Sequence, residues 1–173
     1  MTPKKIIITG TPCTGKTTVA DLLGKKLKMP VTHITELVKE KKLGIRKESG
    51  AIVVSMKKLW KELKDTNGII DGHLACELPL KDALVIVLRC RPPVLRDRMK
   101  KRKYPERKIK ENLEAEALDY CTILAEKNYP EGKVFEIDTS DRKIGDVVDR
   151  CTGIVNGKMK TEKIDFSDYL PIE

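Results

Sequence analysis

KKIIITGTPCTGKTTVADLL, residues 4–23, is the stretch on which the fold turns. Residues 4–9 read as a short strand, since three successive isoleucines suit a strand covered on both faces. A helix follows from about residue 15 to residue 28, with Val19, Leu22, Leu23 and Leu27 on one side. Between them Gly10, Gly15, Lys16 and Thr17 match G-x-x-x-x-G-K-[ST]. Glycines let a backbone fold round a phosphate and turn its N–H groups inward. The helix that follows presents its positive amino end to the same anion. Lys16 is placed to reach β and γ phosphates, and the Thr17 hydroxyl to ligate Mg²⁺.

Outward from this loop, short apolar runs alternate with helical patterns. VTHI (31–34), NGIID (67–71), ALVIVLR (83–89) and KVFEID (133–138) read as further strands. Helices are expected over about 35–42, around Met56, Leu59, Trp60 and Leu63, and after the prolines at 92 and 93. A long helix is marked by Ile109, Leu113, Ala117, Tyr120 and Leu124, and a last one by Ile144, Val147, Val148 and Cys151. Residues 43–53 fit no single element. The tail from 157 to 173 is polar and is expected to be loosely held. The pattern implies one α/β domain over residues 1–173, a three-layer P-loop NTPase fold. Its five-stranded parallel sheet carries helices on both faces. The ligand site of such a sheet lies beyond the carboxyl ends of its strands.

Composition narrows the function classes. The chain has 173 residues, 40% hydrophobic and 35% charged, and no apolar run nears the ~20 residues that span a bilayer. Its five cysteines are scattered and it has two histidines, so neither a disulfide framework nor a zinc site is suggested, and a reducing, intracellular (cytoplasmic) location is expected. A net charge of +9 favours polyanionic partners, while 4% aromatic residues argue against a base-stacking platform for RNA.

A metal beside the phosphate loop needs a carboxylate from a neighbouring strand end. Asp71 in IIDGH supplies it, and His73, two positions on, is placed to orient a water or a phosphate. Residues 97–108, DRMKKRKYPERK, contain Arg98, Arg102 and Arg107 and read as an arginine lid over the phosphates, or as an RNA-contacting patch. Cys13 lies inside the loop. A thiol at a helix amino end is a candidate for redox chemistry, but the group a phosphate loop uses is the backbone N–H. No guanine-reading NKxD occurs, which argues against a GTPase.

Loop, carboxylate and arginine-rich segment together resemble the nucleoside monophosphate kinases. GTPCTGKTT, the DGH triplet, and VLR followed by RDRMKKRKYPERK and KENLEAE narrow the resemblance to the nuclear-type adenylate kinase subfamily, over about residues 4–128. Within that subfamily residues 34–66, which include the only tryptophan, Trp60, form the acceptor arm, and 97–108 the lid. The resemblance implies transfer of phosphate from ATP to AMP with slower ATP hydrolysis. It also implies a small-subunit ribosomal protein as partner, contact with rRNA, and a role in small-subunit maturation, nuclear in a eukaryote. An alternative is an ATPase assembly factor in which phosphotransfer is secondary. Carried over by position, Gly10, Cys13, Thr14, Gly15, Lys16, Thr17, Thr18, Arg98 and Arg102 bind ATP, and Thr17 and Asp71 hold Mg²⁺. Lys16, Asp71, His73 and Arg102 act in catalysis. Three residues depart from the pattern. Cys13 and Lys103 stand where glycine is common. Lys39 stands where arginine is expected, and lysine cannot clamp a phosphate bidentately.

Overall fold

The computed structural model describes residues 3–46 and 52–170. Strand β1 (Lys5–Thr9) leads into helix α1 (Lys16–Leu27). Then come β2 (Val31–His33), α2 (Ile34–Glu40), β3 (Gly44–Arg46), β4 (Ile52–Val54) and α3 (Met56–Leu63). The chain continues through β5 (Gly68–Asp71), a 3₁₀ turn (His73–Glu77), β6 (Ala83–Arg89), α4 (Pro92–Lys101) and α5 (Glu106–Ala117). Helix α6 (Tyr120–Asn128), β7 (Val134–Asp138) and α7 (Ile144–Val155) complete the domain, before a short 3₁₀ turn (Ser167–Tyr169).

The main sheet runs β2-β5-β1-β6-β7, five strands, all parallel. Alternation along β1 explains the three layers. Ile7 points to the face covered by α2, α3 and α6, beside Ile34, Leu59, Leu63 and Ala125. Ile6 and Ile8 point to the other face, beside Val19 and Leu23 of α1 and Val147 and Cys151 of α7. With both faces buried, each strand must be apolar throughout. Register places the strand ends side by side: Ile8 is level with Asp71, and Asp71 with His33. Three side chains from separate stretches of sequence thus reach the carboxyl edge at one height.

The structure corrects one expectation and adds detail at two segments. The long helix over 109–124 is two helices, because Asp119 takes a left-handed φ of 54° between α5 and α6. Buried Arg89 causes the break, by donating to the Glu116 carbonyl (2.9 Å) and to the Asp119 carboxylate. In the tail, Thr161 and Glu162 are bonded to the domain. Thr161 Oγ1 accepts the Glu136 N–H (2.9 Å), Glu162 N donates to the Glu136 carbonyl (3.2 Å), and Glu162 pairs with Arg142 (2.9 Å) and with Arg150. Finally, the ambiguous stretch 43–53 holds an antiparallel pair, β3 against β4, and residues 47–51 between them lie outside the described residues.

Candidate active site

The loop joining β1 to α1 is shaped by two glycines. Gly10 has φ 134°, and a Cβ there would sit 2.2 Å from the Leu88 carbonyl oxygen, so only glycine lets the loop lie this close to β6. Gly15 has φ 98° and caps α1. Lys16, the first residue of α1, folds back and donates from Nζ to the Thr11 carbonyl at 2.9 Å, which also accepts the Thr14 hydroxyl at 2.9 Å. Burial lowers the Lys16 pKa, and the nearby Asp71 charge opposes that shift.

A cleft of about 480 Å³ opens over this loop. Cys13, Gly15, Lys16, Thr17 and Thr18 line its floor, Asp71 and His73 one wall, and Arg102 and Tyr104 the rim. Thr17 Oγ1 donates to Asp71 Oδ2 at 2.9 Å. Asp71 Oδ1 is buried with no hydrogen-bond partner among the described residues. An unpartnered buried carboxylate oxygen is costly unless something fills its place. Beside a threonine hydroxyl, this pair of hard oxygen donors fits a magnesium ion.

His73 follows an extended Gly72 (φ 162°), so it projects on the same side as Asp71 and lines the same cleft. Its ring is open to the cleft but crowded elsewhere. That desolvation, and then the charge of Lys16, hold its pKa below the ordinary imidazole value. Its carbonyl is fixed by Thr9 Oγ1 (3.3 Å) and Cys76 Sγ (3.1 Å).

A second cleft, of about 360 Å³, adjoins the first across the loop. Cys13, Thr14 and Gly15 form one side, Arg98, Lys101 and Arg102 another, and Thr139, Arg142, Ile144 and Val147 the third. Arg102 is exposed and lines both clefts.

The other arginines of the segment do not lie over the first cleft. Arg98 donates to Thr139 Oγ1 (3.0 Å) and to the Thr139 carbonyl (2.6 Å), and so braces the β7–α7 loop at the second cleft. Arg107 is 82% exposed and pairs with Glu111. The Cys13 side chain packs with Cys90, Leu95, Met99 and Ile109 beneath α4 and α5. Cys13 (φ 69°) and Lys103 (φ 57°) both occupy left-handed backbone, the physical reason why glycine suits each position. Lys39 is exposed on α2 and absent from both cleft linings, whereas Thr35 at the start of α2 lines the first. Trp60 lies at the opposite end of the sheet, among Lys4, Lys5, Lys64 and Lys81 where strands begin, with its indole N–H on the Pro79 carbonyl (3.3 Å).

Two residues bonded to the candidate site escape a reading of the sequence. His33 closes β2 level with Asp71. Its Nδ1 lies 2.9 Å from Asp71 Oδ2 and its Nε2 3.0 Å from Asp21 Oδ1. Burial alone would lower its pKa, but the hydrogen bond and charge of Asp71, and then Asp21, outweigh burial and raise it. Its one signal was its place at the end of the run VTHI. Glu116 looked like one more acid on a charged helix, yet it is 1% exposed and accepts the Thr11 hydroxyl.

Residues 6–119 match a family described as an AAA domain. The chain is 38% identical over 183 residues to a Methanocaldococcus jannaschii protein named "Putative adenylate kinase", covering 98% of each. A relative of the same name from Methanothermobacter thermautotrophicus is 39% identical over 171 residues, covering 95% of this chain and 98% of its own. Solved structures with this fold include a shikimate kinase from Acinetobacter baumannii (TM-score 0.66, 17% identity, 92% and 97% covered). A gluconokinase from Sinorhizobium meliloti shares it too (TM-score 0.64, 17% identity, 90% and 93% covered).

Proposed function

The chain belongs to this AAA-domain family of P-loop proteins, together with the archaeal relatives that bear the adenylate kinase name, and from that premise we propose that it transfers the γ-phosphoryl group of ATP to AMP, yielding two ADP. The observation that carries the proposal is Asp71, which lines the cleft that Lys16 and Arg102 share, with one oxygen on Thr17 and the other buried and unpartnered.

The phosphates of ATP lie on the loop, held by its N–H groups, the amino end of α1 and Lys16. The nucleoside end occupies the second cleft, where Arg142 and Ile144 meet the loop. AMP enters from the Thr35 side of the first cleft. Thr17 and Asp71 would hold a magnesium ion, which would supply positive charge to offset that of the phosphates. Lys16 leaves the Thr11 carbonyl for the phosphate oxygens. Arg102, at the rim, adds positive charge where the transferred group carries its negative charge and helps exclude water. With donor and acceptor held in line, no covalent enzyme intermediate is needed.

A second activity, slower ATP hydrolysis, is favoured by His73. An imidazole lining the cleft beside Asp71 is suited to orienting a water. A role in small ribosomal subunit maturation, with a ribosomal protein and rRNA as partners, is supported by the subfamily resemblance and by the +9 charge. Co-sedimentation with small-subunit precursor particles tests it, and free protein at every stage of assembly would refute it. The kinase proposal is tested by ATP turnover with and without AMP, separating ADP from free phosphate. AMP-dependent ADP formation is expected to dominate, and phosphate release indifferent to AMP would overturn it.

A further inference from the structure

Arg89 ends β6 and is 1% exposed. Its guanidinium meets three carboxylates: Glu116 through Nε at 2.9 Å, and Asp119 and Glu136 through the two terminal nitrogens. The Phe166 ring covers it at 5.3 Å. Burying such a cluster costs more than a well-packed apolar core would, so its presence asks what it does.

Much of it is a staple. Through Arg89, α5, α6, β7 and the C-terminal segment are tied to the end of β6. One contact is not needed for that. Glu116 Oε1 already accepts both Arg89 Nε and the Cys90 N–H, each at 2.9 Å, which fixes the carboxylate plane. The remaining oxygen, Oε2, leaves the staple and accepts the hydroxyl of Thr11, 105 residues away in the phosphate loop. The carbonyl of that same Thr11 accepts Lys16 and Thr14. A continuous chain of hydrogen bonds therefore runs from Arg89 through Glu116 and Thr11 to the ammonium of Lys16.

We propose that Glu116 is a positioning residue for ATP binding, acting through Thr11 to hold the phosphate loop and the resting place of Lys16 in the geometry that receives phosphates. The inference rests on the assignment of loop and Lys16 to ATP phosphates. A loop whose first peptide is clamped loses less freedom on binding an anion. Only the side chain at residue 11 communicates this clamp, so it can be cut without touching the staple.

The test measures ATP affinity by calorimetry in EDTA, with thermal unfolding alongside. Thr11→Val keeps the branched shape and removes the donor, and it should weaken ATP binding about tenfold or more, as loss of a hydrogen bond to a charged group does. Thr11→Ser should restore affinity to within about twofold. Asp119→Asn weakens the staple alone, so it should lower the melting temperature and leave ATP affinity unchanged. Should Thr11→Val not fold, Thr11→Ala replaces it, with the donor again removed and the Arg89 staple untouched, and it is expected to weaken binding about tenfold or more. Parental affinity in the folded Thr11 variant would overturn the inference, as would equal losses in it and in Asp119→Asn. Lys16→Ala separates the two levels. If it loses affinity while Thr11→Val does not, only the positioning role of Glu116 falls. If neither loses affinity, the phosphate-site assignment itself falls.

Discussion

Beneath and beside the cleft the side chains are bonded to one another in series: Lys16 to the Thr11 carbonyl, Thr11 to Glu116, Thr17 to Asp71, and Asp71 to His33. At the rim Arg102 is exposed, and among the described residues no ion pair holds it. The floor is organised before any ligand arrives, and its order comes from strands and helices far apart in sequence. The rim presents charge on a short turn between α4 and α5. A preorganised floor spends little ordering entropy when Lys16 exchanges the Thr11 carbonyl for a ligand, while an unpartnered arginine remains free to follow one. Substitutions in the floor should therefore disturb binding, chemistry and stability together, and substitutions at the rim chemistry alone.

The largest expected effect belongs to the floor. Lys16→Ala removes the ammonium that the proposal assigns to the phosphates. Contacts of this class contribute about 3–4 kcal/mol, so both AMP phosphorylation and ATP hydrolysis should fall a few hundred-fold or more. Near-parental turnover in a folded Lys16→Ala protein would end the assignment of the floor.

The rim comes next. Arg102→Ala should lower phosphotransfer by about tenfold to a hundredfold. It should leave the melting temperature unmoved, because the side chain holds nothing else in place. Should the charges of 97–108 serve RNA instead, the same substitution would spare catalysis and flatten the salt dependence of RNA binding. A clear drop in melting temperature would show that the rim is built like the floor.

His73 stands between the two, with a fixed backbone and an open ring. His73→Ala should reduce AMP-independent phosphate release severalfold more than AMP-dependent ADP formation, measured at one magnesium concentration. Equal losses would make it a general phosphate contact, and selective loss of phosphotransfer would contradict its assignment to water.

What was legible in the sequence divides along the same line. β1, the loop and α1 could be read because their signals are local: an isoleucine run, a spaced glycine-lysine motif and a helical face within twenty residues. Asp71 was legible because a carboxylate after an apolar run marks a strand end. His33 was not, since its role depends on the β2–β5 register. Glu116 was not, since an acid in ERKIKENLEAEA looks solvated until Arg89 is seen beneath it. The same buried arginine broke the expected long helix at Asp119, where apolar periodicity runs on without a breaker. Trp60 was assigned to the acceptor arm by its place in the chain. Helix α3 carries it instead to the amino ends of the strands, so its fluorescence should not report AMP.

The staple under the floor has a pH signature. Glu136 pairs with Arg89, yet burial, with Asp119 close by, raises its pKa above the ordinary glutamate value. The native state therefore holds a proton that the unfolded chain has already released, in the window from the unfolded pKa upward to the native one. Where the native state binds more protons, stability falls as pH rises. The Glu136 contribution is thus greatest in acid and declines through that window. Glu136→Gln should flatten this component, making the difference in unfolding free energy between variant and parent more favourable to the variant as pH rises. A difference independent of pH would show Glu136 to be an ordinary surface-like acid.

The smallest effect offers the closest comparison, because floor and rim each contain one non-glycine residue in left-handed backbone, Cys13 and Lys103. The strain is of one kind, about 1–2 kcal/mol against an L side chain. Replacement by glycine relieves it, and about 0.5–1 kcal/mol is returned as the greater freedom of glycine in the unfolded chain. Lys103 is exposed, so nothing else changes, and Lys103→Gly should stabilise the protein by roughly 0.5–1 kcal/mol. Cys13 packs against Leu95, Met99 and Ile109, so Cys13→Gly also loses a buried side chain and leaves a small cavity. Those losses should cancel the relief, leaving Cys13→Gly neutral or destabilised by up to about 1 kcal/mol. Denaturant unfolding of both variants beside the parent measures the contrast. Equal gains at the two positions would mean that the thiol contributes nothing to the packing beneath α4 and α5, and that the loop is no more tightly built than the lid.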